Sequence, residues 1–183
     1  MPRIEHAEKI IGVVLVEPEV HGDDRGRFVE TYRRSWLPFA REMVQGNRSE
    51  KRAGAVVGLH YHVHQADYWY LLRGCARVVL HDLRLGSPTD GRTMHIDLDG
   101  QVERGLFIPP GVAHGFASHT DLLLSYLVDN YHNPADELGV AWDDLDIAAD
   151  WGVTDPVLSD RDKKNPSRAD IPDHLRPRYG LRT

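Results

Sequence analysis

Three histidines stand at alternate positions, His60, His62 and His64, with Asp67 three residues on; a fourth, His114, follows the turn sequence Pro109-Pro110-Gly111. Side chains two apart on a strand share a face. A strand through 60–64 would therefore point three imidazoles the same way, unless a bulge intervenes, and a barrel could bring His114 opposite them. Imidazoles gathered inside a fold are costly unless they bind a metal, hold hydrogen bonds or move protons. Two chemistries fit. His60, His62, Asp67 and His114 together make three imidazoles and a carboxylate, suited to Zn, Fe, Mn, Ni or Cu. Alternatively, one imidazole acts as a general base beside an orienting carboxylate. His6, His21, His95 and His174 belong to no such cluster and are expected on the solvated surface.

What must position these groups is a series of short strands. Apolar, β-branched and aromatic runs at Ile10–Val16, Arg27–Tyr32, Ala55–Tyr61, Tyr68–Arg73, Arg77–Leu83, Leu106–Pro109 and Leu122–Val128 predict them. Turn chemistry lies between, as in Gly22-Asp23-Asp24, Gly46-Asn47, Asp99-Gly100 and Pro110-Gly111. Such spacing predicts an all-β sandwich or barrel rather than βαβ units. Ser35–Val44 and Pro134–Leu138 are expected as short helices. From Asp155 onward the pattern fades into Pro, Asp, Arg and Lys, which reads as a partly ordered tail laid over the barrel.

The 183 residues suit one domain. A net charge of −6 argues against nucleic acid or an anionic membrane as the main partner, since phosphate binding needs a basic face, while a local arginine pocket for a small anion can coexist with it. No apolar run approaches the roughly 20 residues that span a bilayer, and Met1–Lys9 is too polar for a signal peptide. The single Cys75 cannot form an internal disulfide, which fits a reducing cytoplasm; it is expected as a small buried core residue.

The segment from Gly54 through His60, His62 and Asp67 to Gly74 resembles the first cupin motif, with Asp67 where that motif usually has Glu. Gly105 and Pro109-Pro110-Gly111-Val112-Ala113-His114 resemble the second. More closely, the chain is similar to the dTDP-4-dehydrorhamnose 3,5-epimerase family of RmlC-type cupins. The stretches that carry the likeness are Asp24–Glu30, Gln45–Ser49, Gly58–Tyr61, Asp82–Thr89, Ile108–Phe116 and Leu158–Asp162. The resemblance implies a double-stranded β-helix with short helices and a C-terminal tail. Residues 1–50 would carry N-terminal strands and a nucleotide-contacting segment, 51–133 the barrel core, and 134–183 the short helix and tail. It further implies a cytoplasmic homodimer exchanging an N-terminal strand.

The implied reaction inverts carbons flanking the C4 ketone of a dTDP-4-keto-6-deoxyhexose, with no cofactor. By matched position His60 would be the base, Asp162 its orienting, charge-supporting partner and Tyr126 the acid on the opposite face. His114 would bond near the sugar or the enolate oxygen. Arg25, Phe28, Glu30, Gln45, Asn47, His132 and Glu137 would hold the rest of the substrate.

Two basic positions depart from this family: Val57 replaces an arginine, and Asp67 replaces a lysine placed to stabilise the enolate. A carboxylate there opposes the developing charge by about 1–4 kcal/mol at 4 Å, unless it is protonated, turned away or bound to a cation. Beside the epimerase reading stand a metal-dependent cupin using His60, His62, Asp67 and His114, and a non-catalytic cupin that binds sugar nucleotides.

Overall fold

A computed structural model of the chain describes residues 1–180. Its strands are β1 (Arg3–His6), β2 (Val14–Glu17), β3 (Val20–Asp23), β4 (Gly26–Val29), β5 (Gln45–Lys51), β6 (Val56–Tyr61) and β7 (Asp67–Arg73). They continue with β8 (Cys75–Asp82), β9 (Thr93–Asp99), β10 (Gly105–Ile108), β11 (Val112–Ser118), β12 (Leu122–Val128) and β13 (Leu138–Gly139). One sheet runs β1-β2-β10-β7-β12-β5, a second runs β13-β6-β11-β8-β9, and β3 and β4 form a separate hairpin. All of these pairings are antiparallel. The two sheets face each other across Trp69, Leu71, Val78, Leu80, Leu106, Phe116, Leu122 and Leu124, which is the jelly-roll barrel expected from the sequence.

The central strands are apolar on both faces because both faces are covered. Trp69 and Leu71 of β7 point between the sheets, while Tyr68 and Tyr70 point out into a second cluster with Val14, Val16, Trp36 and Leu37. On the other sheet, Leu59 and Val79 pack outward beneath Ile147, Trp151 and Ile171. Of these, Ile171 belongs to the segment read as a tail, and that segment is fastened to the barrel. The Val157 carbonyl accepts from the Val56 amide at 2.9 Å, and the Arg176 guanidinium donates to the Leu83 carbonyl at 2.9 Å.

Both expected helices are corrected. Ser35–Val44 yields only a 3-10 turn at Arg34–Trp36, because Pro38 drives the residue before it out of helical conformation; Leu37 sits at φ −123°, ψ 62°. Pro134–Leu138 becomes a 3-10 turn at Pro134–Asp136, where the Asn133 carboxamide oxygen accepts from the Ala135 amide, and the chain then joins β6 as β13. The strand expected over Ile10–Val16 begins only at Val14, after a turn through Gly12 at φ +88°. Cys75 is half-buried at the start of β8 rather than in the core.

Candidate active site

Between the sheets lies a chamber of about 240 Å³ whose walls include His60, His62, Asp67, His114, Tyr126 and Glu137. A bulge in β6 aims its side chains there. His60 pairs with His114 and Val57 with Phe116, so Gly58 and Leu59 stand opposite the single Gly115. An extra residue in one strand re-aims the side chains around it, and Val57 and His60, three apart, both line the chamber. Gly58 is required at the bulge: its φ is +112°, and a Cβ there would lie 2.7 Å from the His114 carbonyl oxygen.

His60 Nε2 lies 2.6 Å from Asp162 Oδ1. The carboxylate is buried, and the imidazole is 20% exposed, toward the chamber. Burial alone would raise the Asp162 carboxyl. The His60 hydrogen bond and charge, with the Ser159 hydroxyl and the Gly58 amide, outweigh it and hold the group below its ordinary value. An ionised Asp162 accepts from Nε2–H, which leaves Nδ1 of His60 as the basic nitrogen. Tyr126 stands across the chamber on β12, in the other sheet. Burial first, then the nearby charges of Asp67 and Glu137, raise its phenol, so it stays protonated and able to donate.

The other two imidazoles of the wall are held by backbone and its two carboxylates by side chains. His62 Nδ1 donates to the Asp136 carbonyl at 2.7 Å, and His114 Nδ1 donates to the Val112 carbonyl at 2.9 Å. Burial pushes the His114 imidazole well down, against the raising effect of Asp67. Asp67 is buried and accepts from the Gln65 amide and the Trp69 indole, each at 3.0 Å. Glu137 pairs with Arg161 at 2.9 Å; burial raises its carboxyl, but that guanidinium holds it below the usual range.

A family model for dTDP-4-dehydrorhamnose 3,5-epimerase matches residues 7–170. The dTDP-4-dehydrorhamnose 3,5-epimerase of Shigella flexneri is 35% identical over 162 residues, 84% of this chain and 90% of that protein. The chain belongs to this family. The Legionella pneumophila dTDP-6-deoxy-D-glucose-3,5-epimerase, solved with dTDP-4-keto-L-rhamnose, superposes with a TM-score of 0.92. That structure is 31% identical and covers 99% of this chain and 100% of its own. NovW, a 4-keto-6-deoxy sugar epimerase from the novobiocin cluster of Streptomyces spheroides, gives 0.91 at 32% identity, covering 98% and 94%.

In this epimerase the other expected site residues fall into two groups. Gln45, Asn47 and His132 gather at one end of β5: the Gln45 carboxamide donates to Asn47 at 2.9 Å and accepts from the His132 amide at 3.2 Å. Arg25 and Phe28 ride on the exposed β3–β4 hairpin, with Glu30 just past it. Arg25 pairs with Asp23, Glu30 with Arg33, and none of the three lines the chamber. His64 leaves the histidine face. β6 ends at Tyr61, the Asp136 carboxylate takes the amides of Val63 and His64, and the His64 side chain is exposed. His6, His21, His95 and His174 are exposed, as expected.

The epimerase also has a site residue that the motifs did not show. Lys51, the last residue of β5, lines the chamber and is the lone lysine or arginine among its described walls. Its signal is the alternation of β5, in which Gln45, Asn47, Ser49 and Lys51 are half-buried and the residues between them exposed.

Proposed function

We propose that this epimerase inverts a carbon beside the C4 ketone of a dTDP-4-keto-6-deoxyhexose, in deoxysugar biosynthesis, with His60 as base and Tyr126 as acid. The observation that carries this reading is the 2.6 Å His60–Asp162 pair facing Tyr126 across the chamber. The ketone acidifies the neighbouring C–H. His60 Nδ1 takes that proton, and the electron pair of the broken bond moves into the enolate. Asp162 holds the imidazole in place and supports the imidazolium that forms. Tyr126 then gives its phenolic proton to the opposite face of the same carbon, and exchange with solvent restores both groups.

At about 240 Å³ the chamber is smaller than the roughly 300–1,000 Å³ of pockets that enclose a drug-sized ligand whole. The sugar enters it, and the nucleotide lies across the rim against Gln45, Asn47, His132 and Glu137. The exposed hairpin has no work in its own chamber. In a homodimer its Arg25 and Phe28, with Glu30, reach the nucleotide bound by the second copy, while residues 51–133 and 134–183 close each barrel as one unit. A cytoplasmic setting suits a sugar-nucleotide substrate and the unpaired Cys75. Among the described residues no helix is long and apolar enough to cross a membrane.

Solvent deuterium tests the assignment. Wild type should wash deuterium into the carbon beside the ketone and give inverted product. Tyr126→Phe should keep the wash-in and lose the inversion, whereas His60→Asn should lose both. Inversion at wild-type rate in His60→Asn would end the assignment.

A further inference from the structure

Beside the His60–Asp162 pair, three more potential ligands converge in the chamber: one ligand atom each of His62, Asp67 and His114 lies within 4.8 Å of the other two. All three side chains are buried. Both imidazoles spend their Nδ1 proton on a backbone carbonyl, Asp136 for His62 and Val112 for His114. That leaves Nε2 of each ring as a lone pair, and both lone pairs face the same carboxylate. His62 Nε2 is 4.0 Å from Asp67 Oδ1, and His114 Nε2 is 3.8 Å from Asp67 Oδ2. Metal-binding histidines are characteristically fixed in this way, with the second nitrogen anchored by a carbonyl. Two lone pairs and a carboxylate repel one another unless something positive stands between them. The groups reaching in are neutral: the Gln65 amide nitrogen, 3.0 Å from Asp67 and 3.3 Å from His62 Nε2, and the Trp69 indole N–H.

We propose that His62, Asp67 and His114 bind one divalent transition-metal ion, with His60 left outside the set as the free base. Two imidazoles and one carboxylate form a ligand triad that keeps coordination positions open. Ligands about 2.1 Å from a tetrahedral ion stand about 3.4 Å apart. The observed 3.8 and 4.0 Å run to different oxygens of Asp67, and the three ligand atoms lie within 4.8 Å of one another, so the side chains draw in around the ion with Gln65 turned aside. Resting on the epimerase reading, the ion acts as a Lewis acid on the ketone oxygen and takes the negative charge that develops as His60 removes the proton. This changes the sense of Asp67: alone it opposes an enolate, but as a ligand it holds the charge that favours one. It also removes the conflict in which a single His60 would serve both as ligand and as base.

The test begins with the full-length protein, stripped by chelator and titrated with ZnCl2 and CoCl2. Wild type should bind about one equivalent of either, and cobalt should give the visible absorption of a nitrogen- and oxygen-ligated ion. Asp67→Asn and His114→Gln should weaken affinity at least tenfold, while His60→Asn should bind as wild type and lose deuterium wash-in. Wild type that takes up less than a tenth of an equivalent of both metals, or undiminished binding in both Asp67→Asn and His114→Gln, would overturn the site. Full wash-in by the metal-free protein, unchanged on adding zinc, would overturn its role in the reaction and leave the epimerase reading standing. Metal bound with no wash-in from any 4-keto deoxyhexose nucleotide would support the site while sinking that reading.

Discussion

Position 57, where the family carries an arginine, presents a valine to the chamber wall, while a positive charge enters the same chamber from Lys51 on β5. A cation displaced from one strand to another still lowers the energy of an anion between them, because Coulomb attraction depends on distance and not on which element delivers the charge. Lys51→Met should therefore slow deuterium wash-in by about 10–100-fold, equivalent to about 1.4–2.7 kcal/mol of barrier. Lys51→Arg should recover part of the loss. Steady-state rates with a dTDP-4-keto-6-deoxyhexose check this, and an unchanged kcat/KM in Lys51→Met would remove the lysine from the site. Asp162→Asn should cost more, about 10²–10⁴-fold, since it removes the partner that sets the His60 tautomer. Its far-ultraviolet circular dichroism should match wild type, because the barrel strands themselves remain intact.

Strand β8 carries a buried histidine outside the chamber, His81, and it links the fold to pH. His81 Nδ1 donates to the Thr93 hydroxyl, which donates onward to the Ile147 carbonyl, and His81 Nε2 accepts from Arg168. Burial, then the Arg168 charge, push this imidazole down to about 4, against the raising effects of Asp82, Asp144 and Asp90. An unfolded chain protonates the same ring at about pH 6.5. Above that pH both states hold it neutral and stability is unaffected. Between pH 6.5 and 4 the unfolded state binds the extra proton, so stability falls as pH drops, by roughly 3 kcal/mol at most. Urea unfolding at pH 7.5 and pH 5 should reveal that loss. His81→Phe should be less stable than wild type at pH 7.5 and should show a smaller further drop at pH 5.

Elements also mark how far the sequence could be read. The strands with apolar residues on both faces, β7, β8 and β12, were legible because burial demands such runs whichever way they point. β5, Gln45–Lys51, was not, since its outward side chains are charged and its inward ones polar; a wall of a wet chamber lacks the apolar signal on which strand reading depends. β9 alternates cleanly, with Ile96 and Leu98 buried, and was missed only because its outward residues mask so short a pattern. At the site, His60, Asp162 and Tyr126 were placed by likeness in sequence. The exposure of His64 and the separation of His60 from the His62–Asp67–His114 cluster depend on where β6 ends and on its bulge at Gly58, which spacing alone does not encode.

At the scale of the whole molecule, the proposed homodimer gives the hairpin, which lines no part of its own chamber, a role in the partner's site. In the six-stranded sheet β1 is one of the two outer strands, with one edge open for pairing. β2 is already paired on both sides within its own sheet, so any exchanged pairing falls to β1. A mixture of two inactive proteins tests the idea: one with Arg25→Ala and Phe28→Ala, the other with His60→Asn. Subunit exchange should restore about a quarter of wild-type activity, since about half the dimers are mixed and each mixed dimer has one complete chamber. No recovery, with exchange proved by light scattering on tagged copies, would place the hairpin outside the site.

The carboxylate that serves His60 lies 102 residues further along the chain, in the segment that crosses the barrel after its last strand. A ribosome adding about 5–20 residues per second reaches Asp162 about 5–20 s after His60. By then every strand through Gly139 has been translated, and His60 still has no partner. On the proposed mechanism, the base His60 gains its orienting partner only when this last stretch is wound into place. A polypeptide released before Asp162 would lack that carboxylate and, with it, the Ile171 cover over Leu59 and Val79.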